Sequence, residues 1–397
     1  MEAKTTKVKP YVIAVVIQLI YTGMFVVSKA AFDQGMNTFV FIFYRMVAAS
    51  VLLLPIALVL ERYANFGGSC RKNVGTMSLG LLLKLFVYAL IGNTFSLNVY
   101  NVSMKFTSAT VASASSNSLP VITFCLALLL RSQISSGVYV APIIIVDYIA
   151  RMHGRMEVVK LRSSSGMAKL TGVALCLAGV FVLAFYTGPS LSPVNHHRAF
   201  AAARSSNVAP RRVTWIKGTF LMVLANVTWA IWIVLQAALL KEYPNKMLMT
   251  ATQCVFSTVQ SFVVAVVAER DFSKWKLQLD ISFIAIIYTG FVVVGVSYYL
   301  QAWCMEMKGP VFLAAWNPLC FVITIFCSSF FLGEIVHLGS IVGGFLLVGG
   351  LYSMLWGKSK EGEIEPCNEI DNMKDEKDKK NKGEQGEATL ASAVEHV

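Results

Sequence analysis

Two short stretches hold the residues best suited to chemistry. Val111-Ala112-Ser113-Ala114-Ser115-Ser116-Asn117-Ser118-Leu119-Pro120 in the first half answers Val311-Phe312-Leu313-Ala314-Ala315-Trp316-Asn317-Pro318-Leu319 in the second. Val111/Val311, Ala114/Ala314, Asn117/Asn317 and Leu119/Leu319 match at a shift of 200. Each copy sets an amide and a proline inside an otherwise apolar run. A proline leaves the carbonyl four residues earlier without its donor, Ser116 for Pro120 and Ala314 for Pro318. In hydrocarbon such a carbonyl needs a protein partner or a watered cavity. The chemistry on offer is recognition: amides, freed carbonyls and half-helix ends that can hold a polar solute.

Around this pair stand further candidates. Asn117 and Asn317 are expected to face a central cavity, although an intramembrane amide can equally glue two helices together. Trp316 adjoins Asn317 and is the aromatic residue expected to stack on a solute. Arg45, about one turn into the second apolar run, can meet a carboxylate. Gln236 and Tyr298 complete the candidate substrate-binding set of Asn117, Pro120, Trp316, Asn317, Pro318, Arg45, Gln236 and Tyr298. Lys29 reads as a snorkelling lysine and Trp229 and Trp232 as interfacial anchors. Glu157 and Glu334 hold equivalent places after the fourth and ninth runs and read as solvated boundary residues, with a gate or helix-cap role as the other reading. Asn101-Val102-Ser103 matches a glycosylation sequon but hugs the membrane.

Enzyme readings fare poorly. An intramembrane serine protease needs a histidine on a span, and His153, His196, His197, His337 and His396 all lie in loops, an extra segment or the tail. Glu334-Ile335-Val336-His337 is a lone ExxH. No GxxxxGK[ST] loop supplies ATP, so no catalytic residue, metal or cofactor is expected.

The elements that must position these residues follow from composition. The chain has 397 residues, 56% hydrophobic and 14% charged, with mean hydropathy +0.63. A soluble domain carries about 25% charged residues. The apolar residues fall in long runs, which makes this an all-α membrane protein. Runs at about 10–30, 38–60, 79–99, 107–130, 168–187, 216–240, 247–268, 281–301, 309–332 and 338–356 each approach the 20 or so residues a bilayer needs. The net charge of +12 sits between the runs, where it reads as loop charge and not as a nucleic-acid surface. Eight cysteines include no CxxC pair, so neither a zinc site nor a disulfide framework is indicated. The opening Met1–Lys9 leads into a full-length run and lacks a cleavable leader's pattern.

The halves align beyond the motif. At a shift of 208, Glu61-Arg62 falls on Glu269-Arg270, Val26 on Val234, Ala30 on Ala238 and Val51 on Val259. At 200, Tyr88 falls on Tyr288. A constant shift through several runs marks a duplication. Five runs per copy is odd, so the second copy enters the membrane inverted, with a site between the copies near the midplane. With the N-terminus cytosolic, inside loops hold 15 Lys and Arg against 9 outside, a vote for N-in and C-in.

The expected units are a cytosolic N-terminus 1–9, a five-helix repeat 10–187, a linker 188–214, a second repeat 215–357 and a disordered cytosolic tail 358–397. About 23 residues near 132–155 have no counterpart in the second copy. They read as an insertion at the cytoplasmic interface.

Ten runs in two five-run copies resemble the drug/metabolite transporter superfamily. Leu119-Pro120-Val121-Ile122-Thr123-Phe124-Cys125-Leu126-Ala127 with Met156-Glu157, and Ala315-Trp316-Asn317-Pro318-Leu319 with Leu332-Gly333-Glu334, resemble its plant nodulin-21-like group, the WAT1-related or UMAMIT proteins with EamA domains. The resemblance covers about 10–357, and the segment 132–155 departs from it. It implies a facilitator for amino acids or auxin in the plasma membrane, with the vacuolar membrane as the alternative. The expected partners are a small-molecule substrate and the lipid bilayer, with a homo-oligomer left open and no nucleic acid. The residues themselves favour alternating access by a secondary carrier, against a non-transporting receptor or scaffold, or a carrier of nucleotide sugars or phosphate esters.

Overall fold

The computed structural model describes residues 2–66, 79–123, 125–126, 163–186, 188–191, 212–242, 246–277, 279–297, 300–301, 303–304, 307, 315–357 and 359–360. The insertion 132–155, Glu157, Tyr298, residues 192–211 of the linker and the tail from 361 lie outside the described residues. In hydrocarbon each backbone N–H and C=O must be paired internally, so the apolar runs fold as helices. In chain order these are α1 (Glu2–Asp33), α2 (Thr38–Phe66), α3 (Leu79–Phe106), α4 (Ala109–Ser116), α5 (Ser164–Phe185), α6 (Arg212–Glu242), α7 (Lys246–Ala268), α8 (Ile281–Ser297), α9 (Asn317–Leu332) and α10 (Leu338–Gly357). Among the described residues, seven of them (α1, α2, α3, α5, α6, α7 and α10) contain a stretch long and apolar enough to cross a membrane; α8 and α9 are shorter. β1 (Ser190–Leu191) and β2 (Val336–His337) form a two-residue antiparallel pair, Ser190 opposite His337.

The expected interruptions are present, by different means in the two halves. α4 stops at Ser116, Asn117 and Ser118 form a turn, and helix resumes at Leu119. The side chains of Ser113, Ser115, Ser116 and Ser118 each donate to the carbonyl three residues back, at 2.6–2.9 Å. Such back-bonding competes with the helical ladder. In the second half a turn at Ala315–Trp316 precedes α9, and Pro318 sits in the first helical turn. There its missing N–H is no loss, so Pro318 opens a helix where a kink within one was expected. α3 and α8 each widen into π-helix, over Leu90–Ser96 and Tyr288–Ser297, places that overlap at the shift of 200.

Helix contacts recur when the halves are exchanged. α1 packs on α8 and α9 as α6 packs on α3 and α4, and α2 meets α8 as α7 meets α3. α2 lies along α7, and α4 against α9. α5 and α10 approach through glycines: a Cβ on Gly172 or Gly179 would lie 2.9 Å from the carbonyl of Gly350 or Gly343.

One end of the bundle is tied by charge. Lys29, 7% exposed, donates to the carbonyls of Met104 (3.3 Å) and Thr107 (3.2 Å) and pairs with Asp33 at 3.1 Å. A cation suits the C-terminal end of α3. The Glu334 Oε1 accepts from the Ala109 amide at 3.1 Å, at the start of α4. Its Oε2 is sealed from solvent without a partner. Burial pushes this carboxyl above its ordinary range, against the pull of Lys29. Beside this hub, the Asn37 amide reaches Glu269 at 2.8 Å.

Several sequence readings change here. Lys29 does not snorkel and Glu334 is not solvated, because both bond to the junction of α3 and α4, and Glu334 caps the start of α4. Lys169, near the start of the fifth run, is 0% exposed in α5. Asn101 and Ser103 are buried in α3, which removes the sequon from any glycosylation machinery.

Candidate functional site

A cavity of about 510 Å³ lies where α1, α2, α3, α4, α6, α8 and α9 converge. Its walls are built from repeat-related positions. At the shift of 208, Gln18 answers Asn226, Tyr21 answers Trp229, Met24 answers Trp232 and Phe25 answers Ile233, and all eight line the cavity. On α1 and α6 these residues fall at helical spacing, so each helix presents one stripe. At the shift of 200, Asn101 of α3 answers Gln301 beyond α8, and both line it. Near the interruptions the facing residues are Ser116 with Asn317 and Leu119 with Cys320. That is a shift of 201, one residue out of step with the sequence motif.

The polar groups are held by their neighbours. The Gln301 Nε2 donates to the Tyr21 hydroxyl (2.8 Å) and to Ser297 (3.1 Å). The Tyr100 hydroxyl donates to the Ala112 carbonyl at 3.0 Å. The Asn226 amide donates to the Ser115 carbonyl at 3.2 Å, inside the weakened α4. The Arg45 Nη2 lies 3.9 Å from the Met24 sulfur. Among the described lining residues, Arg45 is the charged one, and none is acidic. Trp229 and Trp232 pack with ring centroids 4.7 Å apart.

A second chamber of about 110 Å³ adjoins the first and shares Arg45, Leu97 and Trp232 with it. Asn93, Gln236, Thr250 and Gln253 give it a polar lining. There the Gln253 Nε2 donates to the Gln236 Oε1 at 2.8 Å. Arg45/Gln253 and Met46/Cys254 are again pairs at the shift of 208.

Of the sequence-derived candidates, Arg45 and Asn317 line the main cavity, and Arg45 and Gln236 line the smaller one. Asn117 is 0% exposed and lines neither chamber. Its Nδ2 turns back to the carbonyls of Ala114 (3.1 Å) and Ser113 (3.4 Å). The one-residue offset between motif and face accounts for this, since Ser116 holds the place that Asn317 holds opposite. Pro120, Pro318 and Trp316 also stay out of the walls. Trp316 meets Tyr11 edge-on at 6.3 Å. Tyr298 lies outside the described residues. Trp229 and Trp232, read as anchors, line the cavity instead, and Tyr21 and Tyr100 were missed. The signal was present: carrying the shift of 208 along α1 and α6 pairs an amide with an amide and an aromatic with an aromatic.

What the arrangement can do is hold a small organic molecule. It offers one guanidinium, several amides and hydroxyls and broad aromatic faces, in a volume typical of small-molecule sites, about 300–1,000 Å³.

Comparison with known proteins agrees. The model of the EamA-like transporter family matches residues 8–146 and 216–356, one match in each half. A WAT1-related protein of Arabidopsis thaliana is 42% identical over 381 residues, covering 94% of this chain and 96% of that protein. A second is 39% identical over 361 residues, covering 91% of this chain and 94% of that one. The Arabidopsis thaliana protein named WALLS ARE THIN 1 is 33% identical over 363 residues, covering 89% and 84%.

Proposed function

The chain belongs to the EamA-like transporter family, in its plant WAT1-related group, and from that premise we propose that it carries small carboxylate-bearing solutes, amino acids or auxin, by alternating access. Family membership makes it a multi-pass membrane transporter of small solutes and points away from an enzyme. The carboxylate rests on one observation, the Arg45 side chain in the wall of the central cavity. A guanidinium matches a carboxylate in two-point geometry. Tyr21, Tyr100 and Trp229 suit a flat or apolar body, and the amides of Gln18, Asn226 and Asn317 suit an ammonium or ring N–H. A nucleotide sugar or phosphate ester would call for several cations, and Arg45 stands alone among the described lining residues.

The frame we propose has ten spans in two inverted five-helix repeats, 10–187 and 215–357, joined by the linker 188–214. The N-terminus and the tail from 358 are cytosolic. The exchange symmetry of the helix contacts supports this reading. The repeats rock about the site between them. We assign the plasma membrane, with the vacuolar membrane as the other address.

The experiment is uptake of labelled amino acids and auxin into vesicles, comparing wild type with Arg45→Gln and Arg45→Lys. Loss of a charge-assisted contact worth about 1.5–3 kcal/mol lowers uptake at subsaturating solute roughly tenfold or more in Arg45→Gln. Arg45→Lys recovers part of it. Equal uptake by all three would remove Arg45 from recognition.

A further inference from the structure

The wall between the two chambers has one feature that the proposed transport cycle does not by itself require. Trp232 belongs to both chambers and is seated on Gly92, in the π-helical stretch of α3. A Cβ on Gly92 would collide with the indole Cδ1 and Cγ and come within 2.6 Å of its Nε1. The close approach is open to glycine alone. The indole N–H is buried without a hydrogen-bond partner, and indole can only donate. The small chamber beside it is ringed by Asn93, Gln236, Thr250 and Gln253 as well as Arg45. Its roughly 110 Å³, about a fifth of the main cavity's 510 Å³, is room for a carboxyl group and its first carbon.

We propose that the small chamber is a carboxylate subsite and that Trp232, docked on Gly92, is the aperture that admits the acid end of the solute while holding its body in the large cavity. The inference rests on the reading of the solute as a carboxylate. Arg45 then faces the carboxylate, and the ring of Trp232 sets how bulky the carbon next to it can be. Specificity arises from the aperture; affinity arises from Arg45.

Two native cysteines report on it. Cys254 lines only the small chamber and Cys320 only the large one. The full chain, in vesicles, is treated with a small anionic methanethiosulfonate reagent, and modification at each cysteine is read by mass spectrometry. Trp232→Ala is expected to speed Cys254 modification about tenfold and leave Cys320 within about twofold. Gly92→Ala pushes the indole into the opening and slows Cys254. The double variant Gly92→Ala/Trp232→Ala returns to the fast rate, which a folding defect from Gly92→Ala would not do. An arylacetate is expected to protect Cys254 in wild type, and its neutral amide is not. Equal Cys254 rates in wild type and Trp232→Ala would overturn the aperture. Equal protection by acid and amide would overturn the carboxylate subsite. The labelling needs no flux, so a failure of transport and a failure of the aperture are read separately.

Discussion

Asn117 and Asn317 share a motif and not an environment. Asn317 lines the cavity, whereas Asn117 is sealed and spends its amide on its own helix. Asn317→Ala is therefore expected to cut uptake about tenfold, the loss of roughly one polar contact. Asn117→Ala is expected to leave uptake within about twofold and to shift unfolding by about 1 kcal/mol. Parallel uptake and thermal denaturation in detergent check both. Glu334 gives a pH signature. Its carboxyl is held above the ordinary range in this arrangement, chiefly by burial. The facing groups are Lys29 and Asp33 of α1 and the amides of Ala109 and Thr110. A carboxyl with a raised pKa binds its proton more tightly here than in water. Its contribution is then fully present below the ordinary carboxylate pKa and is lost as pH rises through the raised value. Wild type should lose thermal stability, relative to Glu334→Gln, as pH climbs from about 4.5 towards neutrality. A constant difference between the two chains across that range would assign Glu334 no proton.

At the scale of elements, α4 is weak by composition. Four serines and Asn117 return hydrogen bonds to carbonyls three residues back, and Pro120 withholds one donor from the resumed helix. Asn226 of α6 then takes the Ser115 carbonyl, so the opposite half is coupled to the weak point. Pro120→Ala is expected to lower uptake, since a straighter α4 cannot yield, with little change in thermal stability, because Pro120 sits in the first turn of the resumed helix. Full uptake in this variant would uncouple the break from transport. The break was legible because serine, asparagine and proline crowd ten residues. The facing was not. In a membrane the lipid side of a helix is as apolar as its packed side, so periodicity marks no inward face. Only the repeat shift could have done so, and it slips by one residue between the motif and the walls. The partners of Lys29 and Glu334 were invisible for a simpler reason, since no local pattern encodes a contact 75 or 225 residues distant.

For the whole molecule, the legible part was the duplication: the shift of 208 that pairs Glu61-Arg62 with Glu269-Arg270 runs on through the walls of the cavity. An odd number of spans per copy would put the linker 188–214 and the tail from 358 on opposite faces. Single cysteines introduced in each should label from opposite sides of sealed vesicles, and labelling from the same side would exclude inversion. The hydrogen bonds of Lys29 and Glu334 and the Asn37–Glu269 bond draw together the turns at one end of the bundle. Alternating access requires that end to part while the other closes. The most direct measurement is counterflow with the purified chain in liposomes. Labelled carboxylate solute is placed outside, and unlabelled solute is loaded inside. A carrier with one site reachable from either face predicts transient accumulation of label above its outside concentration in wild type and its loss in Arg45→Gln. Saturable binding with no such overshoot would contradict it.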